Sequence, residues 1–100
     1  MESIKAIQLF SALAQESRLA VFRLLVEAGP DGLVAGDISS ELNIPASTLS
    51  FHLKDLVQAG LLISKRHGRS ISYRTDYQAM YELIQFMQHD CCRRNEDQQC

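Results

Sequence analysis

Residues 37–56 of this 100-residue chain read DISSELNIPASTLSFHLKDL, and this stretch decides the fold. A short helix is expected near Val34–Leu42, followed by a tight turn at Asn43–Pro45, because proline does not continue a helix. After the turn, apolar residues recur at helical spacing on one face of a longer helix: Leu49, Leu53 and Leu56. Two helices joined by three or four residues have the layout of a helix-turn-helix.

Further helices are predicted on the N-terminal side of this stretch. Apolar spacing predicts a first helix over Ser3–Ala14 and a second that ends in residues 28–32, where two glycines and a proline interrupt the pattern. The helix that carries the leucines ends at Gly60, a natural stop signal.

The segment after Gly60 predicts a hairpin. Leu61–Arg66 and Ser70–Thr75 are rich in strand-forming residues and flank a turn with Gly68 at its tip. From Asp76 the spacing is helical again, and Cys91 falls on the next position of that helical stripe. The expected fold is mainly α with a small β-hairpin, a winged helix-turn-helix of order α-α-α-α-β-β-α that forms a homodimer.

Length and composition predict one domain over residues 1–92, followed by a flexible polar tail at 93–100 that carries a cysteine. The chain has no run of eighteen apolar residues, and its N-terminus lacks the features of a secretion signal. The odd number of cysteines argues against a secreted disulfide framework. We therefore expect a cytoplasmic protein with no membrane partner.

Charge is unevenly distributed along the chain, although the net charge is only -2. Residues 1–44 carry three basic and six acidic residues, residues 45–75 five and one, and residues 76–100 two and five. A basic stretch that coincides with the second helix of a helix-turn-helix and its hairpin predicts contact with double-stranded DNA. A merely solvated helix face, or a surface that docks another protein, remains an alternative.

The leucine stripe also indicates which side chains meet DNA. If the leucines face the core, the opposite side of that helix projects toward base edges and phosphates. Phe51 either contacts a thymine methyl group or packs beneath the hairpin, and Arg69 beside the glycine tip can enter a minor groove. The expected DNA-binding residues are Ser47, Thr48, Ser50, Phe51, His52, Lys54, Lys65, Arg66, Arg69 and Arg74.

Several linked motifs resemble the arsenical-resistance repressor (ArsR) family. They are FSALAQESRL at 10–19, DISSEL at 37–42 and STLSFHLKDL at 47–56, continued by AGLL at 59–62, within a likeness that covers about Ile4–Phe86. The resemblance implies a homodimeric winged-helix repressor, paired through its first and last helices, that leaves an inverted-repeat operator when an inducer binds. An enzyme is not expected, since no nucleophile with a base and an orienting group is evident, and no catalytic cofactor is expected.

The chain departs from the family at its sensor positions. The resemblance places arsenic-binding cysteines of many relatives at Val34 and Gly36, which cannot bind metal. A second family site, for zinc, corresponds to Asp76, Gln78, His89 and Cys92, and Gln78 is a poor zinc ligand.

All three cysteines lie in the last ten residues: Cys91, Cys92 and Cys100. Their number suits As(III) or Sb(III), soft ions that take three sulfur ligands, and predicts one of these as the inducer. Adjacent cysteines on a helix point about 100° apart, so joint binding requires the helix end to deform. A zinc, cadmium or lead sensor, a thiol-redox sensor and incidental thiols remain alternatives.

Overall fold

The structure, a computed structural model, describes residues 1–95 and contains five helices and three strands within them. In chain order the elements are α1 (Ser3–Leu13), α2 (Glu16–Ala28), β1 (Leu33–Val34), α3 (Ala35–Leu42), α4 (Ala46–Ala59), β2 (Leu62–His67), β3 (Ser70–Thr75) and α5 (Tyr77–Gln88). The predicted winged helix-turn-helix is confirmed. In the described part of the chain, no helix is long and apolar enough to cross a membrane.

Local side-chain and backbone chemistry sets the helix ends. The Gln15 side chain accepts a hydrogen bond from the first turn of α2, and Asp76 does the same for α5. Asn43, which ends α3, and Gly60, which ends α4, both adopt the left-handed conformation, with φ of 54° and 91°. The turn between α3 and α4 therefore lies where the sequence predicts it.

The sheet contains one strand that the sequence analysis missed. Strand order is β1-β3-β2, all antiparallel, and β1 pairs Leu33 with Tyr73 and Val34 with Ser72. Gly32, at φ 68°, allows the chain to approach β3, because the Tyr73 carbonyl lies where a Cβ would be. The predicted element order is corrected accordingly: a two-residue strand forms through a distant partner and has no sequence period of its own.

The core confirms the predicted leucine stripe. Leu49, Leu53 and Leu56 are 1%, 2% and 0% exposed. They pack in one cluster with apolar residues from every other helix and from the hairpin. Burying such side chains stabilises the fold by about 1.5–3 kcal/mol each, so the orientation of α4 about its own axis is strongly fixed.

Candidate DNA-binding surface and thiol turn

The outer face of α4 presents most of its predicted DNA-binding side chains to solvent. Ser47, Thr48, Ser50, Phe51 and Lys54 are all exposed, on the side opposite the buried leucines. A polar helix face that stands out from a fixed core can enter a major groove without disturbing the fold.

The N-terminus of α4 adds a second feature that suits DNA. Pro45 precedes the helix, makes no side-chain cap, and the first turn contains no acidic residue. The first backbone N–H groups of a helix have no partner within it, and the helix dipole makes this end positive. This end of α4 is therefore able to bind a phosphate oxygen.

Phe51 is 69% exposed. The alternative that it packs beneath the hairpin is therefore wrong. An aromatic ring among serines and threonines on this face has no apolar surface to cover within its own chain. It remains available to a ligand, which suits contact with a thymine methyl group.

The hairpin separates its basic residues between two faces. Lys65 pairs with Ser72, and Arg74 with Ile63, so Lys65 and Arg74 lie on the same face of the sheet, since strand residues alternate between the faces. Arg66 points to the opposite face but is exposed near the tip.

The tip of the hairpin is a two-residue loop. Gly68 has φ 63° and Arg69 does not share this left-handed conformation, a pattern typical of a type II′ turn. Arg69 thus stands exposed at the far end of the wing, as the minor-groove prediction requires.

The two histidines near this surface have different surroundings. His67 lies on the hairpin, with its Nε2 3.1 Å from the Ser72 Oγ. His52 is half-buried on α4, and its Nδ1 is buried without a hydrogen-bond partner in the described chain. Only the other edge of the His52 ring can therefore meet DNA, so its predicted role is restricted to that edge.

The one acidic side chain on α4, Asp55, is paired. Its Oδ2 lies 3.7 Å from Nη1 of Arg18 on α2. The pairing offsets a negative charge that would otherwise face phosphates.

The sequence predicts that α5 continues to the cysteines, but in the structure it ends before them. The helix ends at Gln88, and Asp90 and Cys92 both have φ of 60°, so residues beyond the helix form successive tight turns. In these turns the Cys91 and Cys92 sulfur atoms lie 3.8 Å apart. The prediction that Cys91 lies on the α5 stripe is wrong, and the pair already points together without deforming a helix. We call residues 89–95 the thiol turn.

Asp90 organises the thiol turn, a role that the sequence analysis missed. Its Oδ2 lies 3.3 Å from both His89 Nε2 and Arg93 Nη1. The main-chain bonds Arg93 N to Asp90 O and Asn95 N to Cys92 O close two further turns. Residues 93–95, predicted as the start of a flexible tail, thus have defined turns, while the rest of that tail lies outside the described residues.

The state of the two described sulfurs differs. Cys91 is a free thiol, and Cys92 belongs to a disulfide. Cys100, the third predicted ligand, lies outside the described residues. Within residues 1–95, no three histidine, cysteine, aspartate or glutamate side chains cluster closely enough to hold a metal ion.

The two sets of family metal positions, for arsenic and for zinc, contain side chains that do not form a metal site here. Val34 and Gly36 lie at the start of α3 and supply no ligand. Asp76 is already used as the α5 cap, accepting from the Ala79 N–H at 3.2 Å, and Gln78 donates to Glu82 at 3.2 Å. These side chains serve helix α5 itself.

A helix-turn-helix with a basic wing defines a DNA-binding protein of the winged-helix class. The helix-turn-helix domain family matches residues 13–64 of the chain. The arsenical resistance operon repressor of Escherichia coli is 36% identical over 74 residues, which cover 74% of this chain and 62% of that protein. The transcriptional activator HlyU of Vibrio cholerae is 34% identical over 85 residues, covering 82% of this chain and 76% of that protein.

Solved structures agree with this classification. HlyU from Vibrio cholerae has a TM-score of 0.69 at 32% identity, with 87% of this chain and 97% of that chain covered. The AntR antimony-specific transcriptional repressor has a TM-score of 0.70 at 26% identity, with coverages of 98% and 85%. The chain belongs to the ArsR family of winged-helix transcriptional regulators, and it is a regulator rather than an enzyme.

The geometry predicts two classes of DNA contact with different signatures. Ser47→Ala or Thr48→Ala removes a hydroxyl group from the outer face of α4, which is predicted to contact bases. Each change should alter preference among operator variants by about 1–3 kcal/mol for each lost base contact. Lys65→Ala should weaken binding to all sequences alike and flatten the dependence of log affinity on log salt. Fluorescence anisotropy on specific and random duplexes measures both, and equal losses on both duplexes for every variant would contradict the assignment.

Proposed function

We propose that this chain is an arsenite-responsive transcriptional repressor that binds operator DNA as a homodimer in the cytoplasm. Trivalent arsenic or antimony, bound by Cys91, Cys92 and Cys100, releases the dimer from DNA. The observation that carries this proposal is the close pair of sulfur atoms immediately beyond α5. The family supplies the DNA-binding half of the proposal, and the thiols supply the choice of inducer.

The proposed dimer interface is formed by α1 and α5, whose outer faces are apolar and exposed. The exposed apolar residues on these two helices are Ile4 (71%), Ile7 (63%), Phe10 (39%), Tyr81 (59%), Ile84 (43%) and Met87 (64%). A standard interface buries about 800 Å² per partner, and burying these apolar side chains would stabilise the pair.

A dimer of this kind predicts the form of the operator. Two α4 helices related by a two-fold axis must meet successive major grooves on one face of the duplex, roughly 34–36 Å apart. The operator is therefore an inverted repeat of double-stranded DNA, with the wings reaching the flanking minor grooves.

The separation of the two sulfurs suits a shared ion. The Cys91 and Cys92 sulfurs lie 3.8 Å apart, close enough for one soft ion to be bound by both once Cys92 is a thiolate. A third thiolate completes the site for arsenic or antimony, whereas zinc requires a fourth ligand. Two similar proteins, an arsenical resistance operon repressor and an antimony-specific transcriptional repressor, are compatible with this class of inducer.

Inducer binding requires Cys92 in its thiolate form. Its disulfide must first be opened by a thiol reductant, which supplies two electrons and is itself oxidised to a disulfide. The thiol turn follows α5 directly, so a bound ion would reshape the end of the proposed dimer interface. A coupling free energy of about 1–3 kcal/mol between the two sites is typical of such switches.

The disulfide at Cys92 favours a second candidate, a repressor switched by thiol oxidation. In that case a peroxide would oxidise two thiols to a disulfide, and the change in the thiol turn alone would alter DNA affinity. The similarity to HlyU, for which a reduced form has been solved, is compatible with this candidate.

Single substitutions of Cys91, Cys92 and Cys100 by serine should leave operator affinity intact and blunt arsenite release. The loss should be larger for the adjacent pair, because Cys100 closes the site through a longer segment. Release of fluorescent operator from reduced protein during separate titrations with arsenite, antimonite, zinc, cadmium and hydrogen peroxide measures this directly, and Ser40→Ala serves as a surface control.

Three outcomes of this titration decide between the candidates. Arsenite release that persists in the triple Cys→Ser protein contradicts the proposed site, as does more effective release by zinc than by arsenite. Release by peroxide but not by arsenite would establish the redox sensor instead.

Phe51 should make operator affinity sensitive to a single methyl group. Replacing thymine by uracil removes only the C5 methyl, so one position in each half-site should lose affinity with the wild-type protein. With Phe51→Ala that position should become indifferent to the replacement, whereas Val26→Ala, a change at an exposed apolar residue of α2, should keep the wild-type response. A response to uracil that survives in Phe51→Ala would show that another side chain reads the methyl group.

A further inference from the structure

Two helix ends are capped by cations that belong to other helices. Lys5 on α1 donates from its Nζ to the Ala59 carbonyl at the end of α4, at 2.9 Å. Arg18 on α2 donates from its Nε to the Ala12 carbonyl near the end of α1, at 2.6 Å. The last carbonyls of a helix have no partner within it and carry the negative end of its dipole, so both contacts match charge with charge.

Arg18 also connects the end of α1 to α4. Its Nη1 lies 3.7 Å from the Asp55 carboxylate on α4, and the Arg18 side chain is only 20% exposed. α1 and α4 are thus joined at two separate points, through Lys5 directly and through Arg18. The contacts on α4 lie about 6 Å apart along its axis and those on α1 about 10 Å, at 1.5 Å per residue.

Two separated polar contacts restrict sliding and rotation of α4 along α1, which the apolar core restricts less. The apolar packing between α1 and α4 resists separation of the helices, but it is non-directional. The Lys5 hydrogen bond to α4 depends on both distance and angle, so a sliding or rotation of α4 along α1 breaks it. The same motion changes the 3.7 Å separation of the Arg18–Asp55 ion pair. The Lys5 contact and the Asp55 carboxylate are exposed and the ion pair is long, so these contacts to α4 add little to stability, which leaves positioning as their main effect.

We infer that Lys5, Arg18 and Asp55 form a polar clamp that fixes the angle between α1 and α4, and so sets the half-site spacing that the dimer accepts. The inference rests on the proposed function, because α1 is part of the proposed dimer interface and α4 reads DNA. The three residues are positioning residues: they act through α4 and do not read bases themselves.

The test measures spacing tolerance in the full-length reduced protein. A duplex selected by the wild-type protein from a random library is altered by adding or removing one base pair between its half-sites. Each base pair shifts one half-site by about 3.4 Å and turns it by about 34°. The wild type should lose affinity at least tenfold on either altered duplex.

Variants of the clamp should lose this discrimination. Lys5→Met and Asp55→Asn should each reduce the spacing penalty, the loss of affinity on an altered duplex, to below threefold. Their affinity for the original duplex should differ by less than threefold from that of a variant with the same charge change elsewhere. Lys5→Arg should keep the wild-type penalty, because it retains a donor in the same place. Arg23→Met and Asp31→Asn make the same charge changes elsewhere and should also behave as wild type.

The possible failures are distinguishable. If Lys5→Met and Asp55→Asn keep the tenfold penalty, or weaken binding equally on every duplex, the clamp does not set the spacing. If the wild type itself tolerates both altered duplexes, the clamp inference is also overturned. Selection of a single half-site without two-fold symmetry would contradict the dimeric repressor, and the clamp with it.

Discussion

The rest of the structure depends on the burial of one face of α4. With Leu49, Leu53 and Leu56 inside the core, the helix cannot turn about its axis without exposing apolar surface, so its polar face is held outward. The fully buried Leu61 extends this constraint to the wing and to α5. Its N–H donates to the Leu56 carbonyl at 3.0 Å, and its carbonyl accepts from the Asp76 N–H at 2.9 Å. The reading helix, the hairpin and the start of α5 are therefore positioned together.

This arrangement separates the two tasks of the chain. In the proposed function, DNA contact falls on α4 and the hairpin, where the basic residues are concentrated, while pairing and sensing fall on α1, α5 and the thiol turn. The proposed inducer acts at the end of α5, at some distance along the chain from the reading face. A signal from the thiols must therefore pass through the packing and polar contacts between helices. Lys5 and Arg18 make polar contacts of this kind, and we propose that they serve this role.

Local sequence chemistry accounts for most of the fold. The predicted helix and hairpin boundaries were close to those observed, because Pro45, Gly60 and Gly68 act through their own backbone preferences. Features that need a distant partner were not predictable: β1 exists only by pairing with β3, and the Lys5 contact joins residues 54 apart in sequence. The end of α5 was misplaced because the apolar period continues to Cys91, while the left-handed conformation of Asp90 and Cys92 leaves no periodic signal. At the candidate site, the exposed side chains of α4 followed from the leucine spacing, but the closeness of the two sulfurs did not.

The central claim is that α4 and the wing form the DNA-binding surface of a dimer paired through α1 and α5. Backbone amide NMR of the protein titrated with its selected operator duplex tests this most directly, because each amide reports its own surroundings. The account predicts that the largest shift changes fall on residues 46–54 and 65–70, with the exposed faces of α1 and α5 little affected. Large changes along α1 and α5, with α4 and the wing unperturbed, would contradict it.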